Sequence, residues 1–336
     1  MKNLTTYVEQ LDRAADELHS GTDVGNRLAL ILVDNVVELL LHRYCETRFG
    51  WAGKLEFPEA AQRYTRAAKA RVLGQRFDEK LKFVKAENRL SEVEFGFVGV
   101  CHKFRGEAYH VGVSRENVLF PIAWLYHQLA CDLFVRLDTM SRSHGAKIEV
   151  PERVAKHAPA AWQKGRAYID LFDTAPIAES LNRARPDLAN PSALYADALE
   201  EWVAHLVDVT HYAVGGMGES EETVLIQAQW WKDLFSDIPT DVEEGEPFGA
   251  YLREKRATMQ QSWKPRYTSP PFDAWRKRIA RLRQVKDGRT ALLTYDRLYD
   301  EIAYFDGFII DAAGWVDQRA EEALERYRAE RHREGT

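Results

Sequence analysis

A long apolar segment near the N-terminus constrains the fold of this 336-residue chain more than any other feature. Thr22 or Asp23 can cap a helix that runs through Phe49, and Gly50 stands where such a helix would stop. A rod with apolar side chains at helical spacing is stable only when other helices cover it. Further amphipathic helices are predicted at residues 4–19, 115–136, 192–214 and 219–235. Ser20 and Gly21 are expected to end the first of these, and Gly215, Gly216 and Gly218 are expected to form a turn between the last two. We therefore expect an all-α fold.

The composition is that of a globular protein whose contacts with nucleic acid, if any, are local. Apolar residues make up 45% of the chain and charged residues 29%, which excludes a disordered chain. The formal net charge is -6, and a chain of this sign does not bind nucleic acid through its overall charge. Any RNA contact must therefore come from a basic patch.

The cysteines and the N-terminal segment predict a cytoplasmic protein without a membrane anchor. Cys45, Cys101 and Cys131 are far apart and match neither a disulfide framework nor a metal-ligand spacing, so reduced core thiols are expected. The first twenty residues lack the apolar core of a signal peptide, and no run of 18 apolar residues follows. We expect no metal, no other cofactor and no membrane partner.

A change of composition at residues 141–151, rich in Ser and Gly and ending in Pro, predicts a linker. The expected domains are residues 1–145 and residues 146–336. In the second, residues 187–246 carry a net charge of -13 and residues 253–289 a net charge of +9. Such sorting predicts that the two faces meet each other or that each meets a partner. A further hypothesis is that the acidic block covers a basic cleft elsewhere in the chain and inhibits an enzymatic activity there.

The candidate functional stretch is CHKFRGEAYHVGV, residues 101–113, in which four residues separate Arg105 from His110. A guanidinium clamps phosphate oxygens, and an imidazole moves protons near neutral pH. Chance gives about one such spacing in a chain of this length, so the spacing alone proves little. The surrounding sequence is core-like, however, and ionisable groups are placed there only at a desolvation cost.

Other polar groups are expected to support this pair. Glu38 and His42 form a polar stripe with Asn35 on the long apolar helix, and Glu38 is expected to orient one member of the pair. Tyr109 is expected to pack or hydrogen-bond near the cleft. Residues 62–89, in a helix that Pro58 is expected to open, carry a net charge of +6 and are predicted to track an RNA backbone. The RNA-binding candidates within them are Arg63, Arg66, Lys69 and Arg71.

Helix geometry sets a condition on the pair. Positions five residues apart on an ideal helix point about 140° apart, so one straight helix does not aim both groups at one phosphate. We expect an irregular backbone near Gly106 and a second subunit that completes the site.

The string Arg-Gly-Glu-Ala-Tyr-His, late in an all-helical segment that opens with a helix bearing Asp34, Glu38 and His42, resembles the HEPN domain superfamily. The resemblance covers residues 1–145, and Gly106 stands where family members often carry Asn. It implies a HEPN-like helical bundle with the activity of a metal-independent endoribonuclease. It also implies a homodimer whose two motifs line one cleft, and a role in toxin–antitoxin systems or antiviral defence, with an antitoxin or regulatory protein as a possible partner.

On this reading His110 is the general base for a ribose 2′-OH or the general acid for the 5′-oxygen, and Arg105 stabilises the phosphoryl charge. Two alternatives stay open. Arg105 and His110 are a buried polar pair that fixes helix packing, with Glu107 or Glu38 as counter-ion. Otherwise the chain is a non-catalytic HEPN-like interaction protein that binds a nucleotide or a partner through its charge blocks.

Overall fold

The computed structural model describes residues 2–52, 64–110, 116–137, 151–157, 174–236 and 246–334. Within these ranges all regular secondary structure is helical, which confirms the predicted all-α fold. The helices are α1 (Lys2–Ser20), α2 (Asp23–Ala52), α3 (Arg66–Val72), α4 (Phe77–Ala86), α5 (Glu92–His110), α6 (Glu116–Arg136), α7 (Glu152–Ala155), α8 (Ala175–Arg183), α9 (Pro191–Met217), α10 (Glu221–Phe235), α11 (Glu246–Ser262), α12 (Phe272–Leu282) and α13 (Gly288–Glu334).

The chain divides into two compact units. Unit 1 comprises residues 1–195 and 285–294, and unit 2 comprises residues 196–284 and 295–336. Two of the three divisions fall inside α9 and α13, and the third falls between α12 and α13. Most of the predicted linker, residues 141–150, lies outside the described residues.

Helix α2 is the central element of unit 1. It packs most extensively against α1 and α6 and less extensively against α4 and α5. Its buried residues include Leu30, Val33, Val37 and Leu41. The apolar helix predicted from the sequence, α2, is thus covered by other helices.

The apolar segment Asn117–Arg136, in α6, is long enough to cross a membrane, but 72% of its most apolar window is buried.

Three local expectations are wrong. Helix α2 continues past Gly50 to Ala52. The predicted glycine turn at residues 215–218 begins later, because Gly215 and Gly216 are helical and only Gly218 has a positive φ, of 69°. The basic segment 62–89 is not one helix, since α3 and α4 are separate in it.

Unit 2 has an aromatic core. The rings of Tyr267, Trp275 and Phe305 contact one another edge-on, with centroids 5.5–6.1 Å apart.

The acidic and basic blocks of the sequence contact each other in unit 2, because Arg283 pairs with Asp197 at 2.5 Å and with Glu200 at 2.6 Å. Part of the sorted charge is therefore neutralised within unit 2.

Candidate active site

A buried carboxylate organises the candidate site in unit 1. Asp34, on α2, is completely buried. The hydroxyl of Tyr126 on α6 donates to Oδ1 at 2.9 Å, and Nδ1 of His102 on α5 lies 3.0 Å from Oδ2. Nε of Arg105 lies 3.5 Å from the same Oδ2. A buried negative charge is tolerated only with such partners, so Asp34 ties α5 and α6 to α2.

His102 is held by Asp34 on one side and reaches solvent on the other. Because Nδ1 faces the carboxylate, the proton of the neutral imidazole lies on Nδ1, which leaves the lone pair on Nε2. The ring of Phe77 stacks on it with centroids 3.8 Å apart and planes 10° apart. The side chain of His102 is 29% exposed. It is therefore oriented like a general base and stays accessible to a ligand.

Arg105 lies one turn after His102 on the same face of α5. Residues three apart on a helix are neighbours, and both side chains meet Asp34. The guanidinium cannot lose its proton at physiological pH, and the side chain is 34% exposed. A permanent cation and an oriented imidazole thus reach solvent side by side.

Tyr126 is the internal support of the cluster. Its side chain is completely buried. Burial, followed by the negative charge of Asp34, raises the pKa of Tyr126 well above its usual value. The phenol therefore stays protonated and donates to Asp34 at any physiological pH.

The second half of the predicted motif lies at the end of α5. Helix α5 is α-helical from Glu92 to His110, so the expected irregular backbone near Gly106 is wrong. A Cβ added to Gly106 would meet no atom within 4 Å. Tyr109 and His110 are the last two helical residues, and their side chains lie outside the described part of the structure. A regular helix leaves the 140° separation between positions 105 and 110 in place.

Glu38 and His42 lie on α2, one and two turns after Asp34. The acidic residue that the structure pairs with Arg105 is Asp34. The charge of Glu38 acts on the cluster at longer range, where it adds to the raised pKa of Tyr126. Nε2 of His42 faces Glu46 at 3.5 Å. A contact of Glu38 with His110 stays a prediction.

Three of the four candidate RNA-binding residues lie on one short helix. Arg66, Lys69 and Arg71 are exposed on α3. Arg71 pairs with Glu79 at 2.9 Å, and its side chain remains mostly exposed. Arg63 lies outside the described residues. A basic surface at α3 therefore exists, and its use for RNA stays a prediction.

Sequence reasoning missed His102 and Tyr126 as members of the site. His102 stands in the string CHKFRGEAYH, three residues before Arg105, and that spacing places both on one helix face. Asp34 is acidic in an otherwise apolar helix, which signals a buried group in need of donors. Tyr126 gave no signal, because an aromatic residue in an apolar helix is usually core.

A second buried carboxylate in unit 1 provides an internal comparison. Asp12, on α1, is completely buried. It lies 2.5 Å from Nζ of Lys156, 2.6 Å from Arg153 and 2.7 Å from Nε2 of His157, whose Nδ1 lies 2.9 Å from Oγ of Ser180. Burial alone would raise the pKa of Asp12, but the hydrogen bonds from these three bases lower it. The His157 side chain is only 4% exposed, so the histidine of this cluster is sealed, while the side chains of Arg153 and Lys156 are 40% and 48% exposed.

Comparison with models of known protein families, with curated proteins and with solved structures found no match to this chain.

Proposed function

We propose that the chain is a metal-independent endoribonuclease of the HEPN kind, acting as a homodimer. The observation that carries the proposal is the pair His102 and Arg105, both partly exposed and both held by the fully buried Asp34. Phosphodiester cleavage needs a fixed cation at the phosphoryl oxygens and an oriented proton carrier beside it. This cluster supplies both, on the helix that ends at His110.

The proposed reaction is an internal transesterification. The ribose 2′-oxygen forms a bond to phosphorus, the bond to the 5′-oxygen breaks, and the products are a 2′,3′-cyclic phosphate and a 5′-hydroxyl. His102 takes the proton from the 2′-hydroxyl, His110 gives a proton to the leaving 5′-oxygen, and Arg105 binds the phosphoryl oxygens. Asp34 orients His102 through its contact with Nδ1.

Helix geometry supports a site shared between two copies of the chain. His102 and His110 are eight residues apart on α5, which corresponds to about 12 Å along a helix axis. Two imidazoles at that separation do not serve one phosphate. We assign His102 and Arg105 of one copy and His110 of the second copy to each site, so that a two-fold axis creates two sites per dimer.

The direct experiment is cleavage of single-stranded RNA by the purified chain in EDTA. His110→Ala is expected to abolish cleavage while leaving the helical circular dichroism spectrum unchanged. A matched control is His332→Ala, since Arg326 and His332 form a similar Arg–His spacing on the exposed end of α13. Equal cleavage by wild type and His110→Ala would refute the proposal.

One observation favours a second candidate, a non-catalytic helical interaction protein. Asp34 receives contacts from three side chains on two other helices, which is how a buried polar group fixes helix packing. On this view Arg105→Ala lowers stability and affects no activity. Loss of partner binding after charge reversal within residues 253–289, with no RNA cleavage by wild type, would support it.

The setting of the proposed enzyme follows from the same reasoning. We place it in the cytoplasm, where RNA is available and the buried thiols of Cys45, Cys101 and Cys131 stay reduced. A toxin or antiviral role, with an antitoxin or other regulatory protein as partner, completes the proposal. Co-purification of such a protein with the chain from its native cells tests that part.

A further inference from the structure

The end of helix α13 presents an apolar face to solvent. Every residue from Asp317 to His332 is exposed, and Val316 is the last buried residue of the helix. Unit 2 holds α13 just before this point, where Val316 fills the space beside Gly216 and the hydroxyl of Tyr212 donates to Asp317 at 2.5 Å. Isolated helices of this length are marginally stable in water, so the segment gains from a packing partner.

The exposed face continues the stripe that α13 buries within unit 2. The buried stripe follows helical spacing of three or four residues, through Leu298, Ile302, Phe305, Ile309, Ala312 and Val316. The same spacing continues through Ala320, Ala323, Leu324 and Tyr327. Leu324 is 47% exposed and Tyr327 is 55% exposed. One apolar stripe therefore runs along α13, and it is buried as far as Val316 and exposed to solvent after that residue.

The side-chain sizes on this face fit a second copy in the antiparallel direction. The four residues are symmetric about the point between Ala323 and Leu324. Antiparallel pairing about that point places Ala320 opposite Tyr327, and Ala323 opposite Leu324, so that a small side chain always meets a large one. Parallel pairing in register would place Tyr327 against Tyr327 and Ala320 against Ala320.

The charges beside the stripe favour the same direction. Residues 317–325 carry a net charge of -3, and residues 326–334 carry a net charge of +2. One flank holds Asp317 and Glu321 before the centre and Arg328 after it. The two-fold axis of an antiparallel pair brings this flank against its own copy. Arg328 then lies between Asp317 and Glu321 of the second copy, with opposite charges opposed.

We propose that residues 317–334 of α13 form an antiparallel helix pair with the same segment of a second copy of this chain. The pairing is independent of the proposed ribonuclease activity, because it uses none of the residues around Asp34. It creates a self-association surface in unit 2.

Sedimentation equilibrium of the full chain tests the surface. Wild type is expected to associate through this segment, and the double variant Leu324→Gln, Tyr327→Gln is expected to raise the dissociation constant of that association at least about 100-fold. Ile310→Gln is the matched control, because Ile310 is 46% exposed on the same helix but lies off the stripe. A monomeric wild type, or unchanged association of the double variant, would overturn the proposal. RNA cleavage in EDTA by the same samples reports on the ribonuclease separately.

Disulfide cross-linking tests the direction. Ala323→Cys alone is expected to form a covalent dimer, because the residue is next to the symmetry point. Ala320→Cys alone is expected not to, since its two copies are about 10 Å apart along an antiparallel pair. A mixture of Ala320→Cys and Tyr327→Cys chains is expected to cross-link. Wild type is the control, as Cys45, Cys101 and Cys131 are buried. Efficient cross-linking of Ala320→Cys alone would show parallel pairing and overturn the proposal.

Discussion

Unit 1 contains two buried carboxylates with the same kinds of partner, and they differ in whether the histidine reaches solvent. Asp12 and Asp34 are both completely buried, and each contacts one histidine and at least one arginine. At Asp12 the contacts are 2.5–2.7 Å and the histidine is sealed. At Asp34 they are 2.9–3.5 Å and the histidine is 29% exposed. The comparison teaches that the access of the histidine separates the two clusters, and the proposed chemistry requires the accessible histidine at Asp34.

The largest expected difference between the clusters is in RNA cleavage. Arg105→Ala is expected to lower the rate constant for cleavage at least about 100-fold, because the cation that stabilises the phosphoryl charge is lost. Arg153→Ala, the equivalent change at Asp12, is expected to leave the rate unchanged. Single-turnover assays with folded variants measure both. Equal losses in the two variants would erase the functional distinction.

The second difference is in stability. Asp12→Asn is expected to lower the free energy of unfolding by about 3 kcal/mol, because Lys156, His157 and Arg153 lose their shared counter-charge. Asp34→Asn is expected to cost about 1 to 2 kcal/mol, since His102 and Arg105 can turn to water. Urea denaturation measures both values. A larger loss at Asp34 would make that cluster the more structural one.

A third histidine, His127 on α6, extends the comparison to a site where none of the residues that the structure describes brings a carboxylate into hydrogen-bond contact. It is completely buried, and Nε2 donates to the carbonyl oxygen of Leu11 at 2.9 Å. Burial, followed by the positive charge of Arg185, lowers the pKa of His127 to about 3. The histidine of the unfolded chain has an ordinary pKa of about 6.5. Below that pH the unfolded chain therefore binds a proton at His127, whereas the folded chain keeps this histidine neutral. The contribution of neutral His127 to the free energy of unfolding is complete above a pH of about 6.5 and is lost as the pH falls toward its folded-state pKa.

His127→Gln keeps a donor for Leu11 and removes the titration. Between pH 6.5 and pH 4.5, wild type is expected to lose about 1.4 kcal/mol of unfolding free energy per pH unit from this residue, and the variant to lose correspondingly less. Urea denaturation across that range measures the slopes. Identical slopes would show that His127 is protonated in the folded chain.

The smallest expected effect concerns Gly106, beside Arg105. Because α5 is regular there and a Cβ would meet no atom within 4 Å, Gly106→Ala is expected to raise the free energy of unfolding by about 0.5 to 1 kcal/mol. RNA cleavage is expected to stay unchanged. A destabilised variant would indicate that the backbone needs glycine at this position.

The helices could be predicted from sequence because apolar periodicity and capping residues are local signals. The α1–α2 junction is an example, since Gly21 has a φ of 62° and ends the first helix as expected. Gly215 and Gly216 were misassigned because a glycine pair is a turn signal by itself. Here Gly216 is helical and gives room to Val316, a residue 100 positions later. Such tertiary contacts override local preference.

The candidate site could be predicted only in part. Arg105 was recognisable because an ionisable residue in core-like sequence needs a function or a partner. Its partner Asp34 lies 71 residues earlier, and no local pattern says that the two helices cross at that point. His102 was overlooked because attention fell on Arg105 and His110, which follow it in the sequence. The Asp12 cluster joins residues 145 positions apart. Pairings of this kind follow from packing.

The central claim is that Arg105 of one copy and His110 of another act on one RNA phosphodiester. It is tested most directly by a heterodimer of an Arg105→Ala chain and a His110→Ala chain, co-expressed with different tags and purified through both. One of its two sites retains both residues, so RNA cleavage in EDTA is expected at about half the wild-type rate, with 2′,3′-cyclic phosphate and 5′-hydroxyl ends. Each homodimeric variant is expected to be inactive. An inactive heterodimer beside an active wild type would contradict the shared site.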